Sequence, residues 1–143
     1  MPYRYLEDIA IADAAFEAWG ETIEEMFVAA ADALLNVMVG DLAAIRKRTY
    51  RHFVVEENQI DLLLFQVLQK LIYYKDAEQL LARIKAIRIA PHGDGWTASV
   101  ESAGEQIDPD RHDLLVDVKA VTLHQFQVET TPDGWRATVV VDV

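Results

Sequence analysis

The 143-residue chain contains no cysteine, which excludes a disulfide framework, a thiolate metal site and a cysteine nucleophile, and suits a reducing compartment. Glycine and proline are sparse, at six and four residues, while 52% of the residues are hydrophobic, so a disordered chain is excluded and ample core material is present. No apolar run approaches the roughly 20 residues that span a bilayer. The segment Met1-Pro2-Tyr3-Arg4-Tyr5-Leu6-Glu7-Asp8 lacks the apolar core of a signal peptide, so a soluble cytoplasmic protein is expected. Positive charge is scarce too: 13 Lys+Arg stand against 24 Asp+Glu, for a formal net charge of −11. No basic cluster exceeds Arg46-Lys47-Arg48, which argues against a nonspecific grip on phosphate backbones. Walker A, GxGxxG, HExxH, GxSxG and EF-hand patterns are all missing, so the corresponding enzyme classes have no support.

What is present fits a single domain over 1–143. Asp13 to Gly20 reads as a strand closing on a glycine turn, with Asp13 near its start. Thr22 and Glu25 form a capping box, and Ile23, Met26, Phe27, Ala30, Leu34, Val37 and Met38 recur at helical spacing up to Gly40, which stands where a left-handed cap would end the helix. Arg48 to Glu56 reads as a strand. Asn58 offers a cap to a second helix from about Gln59 to Tyr74, striped by Ile60, Leu63, Leu64, Val67, Leu68, Leu71 and Ile72. Residues 82–90 and 96–102 read as a hairpin about Pro91 to Gly95. Leu114 to Glu129 is nearly continuous β-prone sequence, turned at Pro132-Asp133-Gly134 into a final strand, Trp135 to Val143. The order predicts an α+β fold, two helices packed on a mixed, mostly antiparallel sheet.

Two carboxylates attract attention, Asp13 at the start of a strand and Asp142 at the end of one. With a backbone carbonyl or the carboxylate of Val143 they would make a small oxygen site for Ca²⁺, Mg²⁺ or Mn²⁺, although most Asp and Glu residues simply form a solvated face. Lys119 sits in the apolar run Val118-Lys119-Ala120-Val121-Thr122. It lies either at an edge or mouth of the sheet, as an edge charge that blocks strand addition, or opposite a carboxylate such as Asp117 or Asp142. His52, His92, His112 and His124 lack helical pair spacing and read as surface or satisfied structural residues. Trp19, Trp96 and Trp135 stand apart from basic residues and read as core or turn packing rather than a base-stacking platform.

Taken together, Tyr5-Leu6-Glu7, Ala12-Asp13, Ala18-Trp19-Gly20, Thr22 to Phe27, Gly104-Glu105, Arg111-His112, Val118 to His124 and the Asp142-Val143 ending resemble the archease family over essentially the whole sequence. The resemblance implies an archease-type fold, related to strand-helix-strand-strand modules. It also implies a non-catalytic activator of the GTP-dependent RNA ligase that joins 2′,3′-cyclic-phosphate or 3′-phosphate ends to 5′-hydroxyl ends in tRNA splicing or RNA repair. The activator would promote guanylylation and multiple turnover, and would meet RNA only through the ligase. By motif, the family's metal ligands fall on Asp13 and Asp142 with Val143 as a further terminal ligand, and its functional lysine on Lys119. One departure is visible: the family's Leu-(Asp/Glu)-His-Thr-Ala-Asp segment reads here Leu6-Glu7-Asp8-Ile9-Ala10-Ile11-Ala12-Asp13, two residues longer and without histidine. Either Asp8 takes the histidine's space or the strand enters differently. The competing readings are a small metal-dependent hydrolase using His124 or His112 as base, and a chaperone-like adaptor.

Overall fold

The computed structural model describes residues 2–7 and 13–143, so Asp8 lies outside the described residues. The elements follow in the order β1 (Tyr3–Leu6), β2 (Asp13–Gly20), α1 (Ile23–Met38), β3 (Thr49–Glu57), α2 (Ile60–Glu78), β4 (Leu80–His92), β5 (Gly95–Gln106), β6 (Ala120–Thr131) and β7 (Gly134–Asp142), with a 3₁₀ turn at Leu42–Ala44. The α+β class holds, and each strand pairing is antiparallel. The strands divide into two sheets, ordered β1-β2-β7-β6 and β3-β5-β4. Helix α1 packs on β2 and β7 from one side and on β4 from the other, while α2 touches β3, β4, β5 and β6, so both helices lie between the sheets.

That placement explains the composition of α1. Met26, Phe27, Ala29, Ala30, Ala31, Ala33, Leu34 and Leu35 are all buried, because a helix covered on two sides must be apolar nearly all round and its alanines permit close approach. Its start follows the capping box: the Glu25 N–H donates to Thr22 Oγ1 (3.1 Å), and the Glu25 carboxylate accepts from the Glu21 N–H (3.0 Å), one residue before the cap.

Its end corrects the sequence reading. The chain leaves α1 through an extended Val39 and not through a left-handed Gly40. Val39 bridges Leu114, and the Gly40 N–H donates to the Asp113 carbonyl at 2.8 Å. A Cβ at Gly40 would sit 2.3 Å from Asp113 Oδ2, the end of an exposed side chain that can turn aside, so neither a positive φ nor a fixed neighbour demands glycine there.

Helix α2 is capped by Gln59, without a side-chain cap hydrogen bond, instead of by Asn58; it begins at Ile60 and runs past Tyr74 to Glu78, closing on Gln79 at φ 54°. The expected long strand from Leu114 begins only at Ala120. Residues 114–119 instead form a strap, with the Leu115 N–H donating to the Met38 carbonyl at 2.8 Å. A β-prone side-chain sequence does not by itself decide where backbone donors go, and the free carbonyls at the end of α1 compete for them. Strand β1 was not anticipated. Its Tyr5 hydroxyl donates to the Ala33 carbonyl of α1 (2.8 Å) and its Tyr3 hydroxyl to Asn36 Oδ1 (3.2 Å), tying the edge strand to the helix.

Candidate functional site

The β2–β7 ladder runs from Asp13 opposite Asp142 to Gly20 opposite Trp135. Directly opposed residues in an antiparallel pair project to the same face with Cβ atoms about 4.5–5.5 Å apart, so the two aspartates form one carboxylate pair at the end of the sheet. Strand β6 enters beside them: Ala120 pairs with Asp142, and the Lys119 N–H donates to the Asp142 carbonyl at 2.8 Å. Asp13, Lys119 and Asp142 thus meet at one tip although they are distant in sequence. Asp13 and Asp142 are half-buried and Lys119 is exposed, at the entry to an edge strand. Among the described residues none of these three side chains has an ion-pair partner. Val143 follows, its side chain packed against the core.

The donor chemistry of this pair fits a hard cation, since both groups are carboxylates. Among the described residues, no group of three or more His, Asp or Glu side chains converges anywhere. Two side-chain carboxylates therefore need further oxygens, from a backbone carbonyl or a docked molecule, to fill a coordination shell.

Two ionic clusters missed by the sequence reading hold the neighbouring backbone. Glu105 Oε1 accepts from the Arg46 N–H (2.8 Å), from His112 Nε2 (2.9 Å) and from the Arg111 guanidinium, which also donates to the Ala44 carbonyl. The Asp108 N–H donates to His112 Nδ1 at 2.9 Å, which places the ring proton on Nε2. Burial works against the Glu105 carboxylate, but the Arg46 N–H, the Arg111 guanidinium and the His112 ring bring its pKa down to about 2. In the second cluster the buried Lys75 ammonium donates to the Val118 carbonyl (2.6 Å) and to Asp117, and pairs with Asp76 at 2.7 Å. Burial opposes that charge too, yet these hydrogen bonds hold the Lys75 pKa above the ordinary lysine value. The sequence placed Asp117 as a possible partner of Lys119; it is Lys75 that takes it. The only sequence signal was a lysine on the apolar side of α2, after Tyr74.

The remaining candidates sort accordingly. His112 is buried with both ring nitrogens engaged, whereas His52, His92 and His124 are exposed, and His52 Nε2 meets Ser99 Oγ at 2.9 Å. Trp96 and Trp135 are half-buried, but Trp19 is exposed, which corrects its reading as packing. A concavity of about 1230 Å³ lies around Trp19, Glu21, Glu25 and Trp135, at the far end of the β2–β7 ladder. Another, of about 580 Å³, is lined by Arg46, Arg48, Arg51 and Arg111 together with Glu78 and Glu105. Asp13, Lys119 and Asp142 line neither of these two concavities. No helix among the described residues is long and apolar enough to cross a membrane.

An antiparallel α+β fold with two helices between two sheets, and with two opposed carboxylates and an exposed lysine at one strand end, defines the structural class. The family follows from comparison with known proteins. The model of the Archease protein family (MTH1598/TM1083) matches residues 3–143. The protein archease of Pyrococcus abyssi is 33% identical over 133 residues, 92% of this chain and 93% of that one. The protein archease of Methanosarcina acetivorans is 32% identical over 142 residues, 99% of this chain and 95% of that one. The chain belongs to the archease family. Among solved structures, the solution structure of Methanobacterium thermoautotrophicum protein 1598 superposes with a TM-score of 0.85 at 28% identity, covering 99% of both chains. The crystal structure of a Thermotoga maritima archease, described there as a possible chaperone, gives 0.64 at 20% identity over 96% of this chain and 97% of that one, a likeness of fold.

Proposed function

We propose that this protein is a non-catalytic cytoplasmic activator of a GTP-dependent RNA ligase, promoting the ligase's guanylylation and repeated turnover in tRNA splicing or RNA repair. The observation that carries this reading is the tip itself, with Asp13 in register with Asp142 and Lys119 bonded through its N–H to the Asp142 carbonyl. A small-molecule enzyme gathers its reacting groups in a concavity that buries the substrate, whereas these residues line neither concavity described above, and Lys119 is exposed at the entry to an edge strand, within reach of a docked partner. Asp13 and Asp142, with the carboxylate of Val143, would hold a divalent cation of the Ca²⁺, Mg²⁺ or Mn²⁺ type. When bound, that ion supplies positive charge for phosphate oxygens. The chain's own contribution is Lys119, whose unpaired ammonium is free to engage the phosphates of GTP in the ligase's active site. The acidic balance of −11 favours encounter with a basic, RNA-binding partner.

The test is GMP transfer onto the ligase under multiple turnover with substoichiometric amounts of this protein. Wild type is expected to accelerate it, and Asp13→Ala with Asp142→Ala, or Lys119→Ala alone, to abolish the acceleration. Full stimulation by the folded double variant would refute the reading. An independent readout of the cation is thermal unfolding. Saturating Ca²⁺ or Mn²⁺ at about 100 times Kd should stabilise wild type by about 2.7 kcal/mol and leave the double variant unmoved.

A further inference from the structure

The strap between the two ionic clusters presents three consecutive large apolar side chains to solvent. Leu114, Leu115 and Val116 are 43%, 55% and 49% exposed. Single exposed leucines are ordinary, but a run of three is not expected on a stable surface without a function. Nor is this a loose loop. Leu114 is bridged to Val39, the Leu115 N–H donates to the Met38 carbonyl (2.8 Å), and the Gly40 N–H donates to the Asp113 carbonyl (2.8 Å). The strap's backbone thereby satisfies carbonyls at the end of α1, and its side chains are left facing outward. On one side Glu105 holds Arg111 and His112, and on the other Lys75 holds Asp117 and Val118. Three residues beyond Val116 comes Lys119 of the tip.

We propose that Leu114, Leu115 and Val116 form a preformed docking surface for the protein partner, adjoining the tip that carries Lys119, Asp13 and Asp142. This rests on the activator reading and says which surface seats the ligase. Charge points to the partner's chemistry: the exposed carboxylates of Asp110 and Asp113 flank the strap, so the complementary surface is an apolar hollow with a basic rim, as on a protein that binds RNA phosphates. Because the strap's backbone is already held in place, binding orders only its side chains on this side, and truncating them acts on affinity. Lys119 acts after docking.

The experiment titrates ligase guanylylation with wild type, the double variant Leu115→Ser with Val116→Ser, Leu115→Met, and Lys119→Ala, each checked for folding by circular dichroism. The serine double variant should raise the concentration for half-maximal stimulation tenfold or more with its plateau retained, and Leu115→Met should behave as wild type. Lys119→Ala should lower the plateau and still compete with wild type for the ligase. Wild-type concentration dependence in the serine variant, with wild type active, overturns the docking surface alone. A wild type that neither binds nor stimulates the ligase overturns both readings. Size-exclusion chromatography supplies the remaining outcome: if the strap mediates a dimer that the serine variant breaks while stimulation is unchanged, the occupant is a second copy and the proposal fails.

Discussion

Two lysines at the same end of this molecule are in opposite conditions. Lys75 is buried and donates to Asp117 and the Val118 carbonyl, whereas Lys119, one residue further along the same segment, is exposed with no ion-pair partner among the described residues. Glu105 and the tip aspartates differ in the same way, since three donors converge on the Glu105 carboxylate and, among the described residues, none pairs with the Asp13 or Asp142 side chain. Charges that are buried and satisfied hold backbone, and charges that a rigid frame leaves unpaired are available to a ligand. A buried pair broken on one side costs a great deal, while an exposed charge removed costs almost nothing, so the two kinds separate in measurement.

The largest expected effect is on the satisfied side. Glu105→Ala leaves the Arg46 N–H, the His112 ring and the Arg111 guanidinium without their acceptor and should lower unfolding stability by about 3 kcal/mol in a urea titration. A loss below about 1 kcal/mol would mean that the cluster is not a latch. Next comes Lys75→Met, which fills the space but frees Asp117 and the Val118 carbonyl; about 1–2 kcal/mol is expected, because Asp117 is itself largely exposed to water.

Acid sharpens the contrast. The Glu105 carboxyl has its folded pKa depressed to about 2, so the stability it contributes is present above its unfolded value near 4.5 and is lost as pH falls from there toward 2. Wild type should lose stability across that window. Glu105→Gln, less stable at neutral pH, should show a flatter dependence in the same window, and an unchanged acid slope would place the titration elsewhere. The smallest effect is expected at Lys119→Ala, within about 0.5 kcal/mol of wild type in the same titration. A larger loss would make Lys119 a structural residue and remove the contrast.

Much of the frame was legible in the sequence because it depends on local rules. The Thr22–Glu25 capping box marked the start of α1, the apolar stripes located both helices, and glycine placement marked the turns at Gly20 and Gly93, the latter at φ 58°. Family resemblance singled out Asp13, Asp142, Val143 and Lys119, and the register then brought the two aspartates opposite one another with Lys119 beside them. Strand β1 was missed because Tyr3 to Leu6 is short and becomes a strand only by pairing with β2. The strap was read as strand because Leu114 to Val118 has β-prone side chains. Gly40 was read as a handed cap because its close neighbour, Asp113, is far away in the sequence.

Composition, periodicity and caps by themselves determined the absence of disulfide chemistry, the acidic surface, the two helices and the α+β class, since each depends on residue type or on neighbours a few positions apart. The tertiary structure alone decided that the strands form two sheets around the helices, that Asp13 faces Asp142, and that Lys75 rather than Lys119 is the buried, partnered cation. Those outcomes depend on which distant backbone groups complete one another's hydrogen bonds, and on which charges are left over when they have.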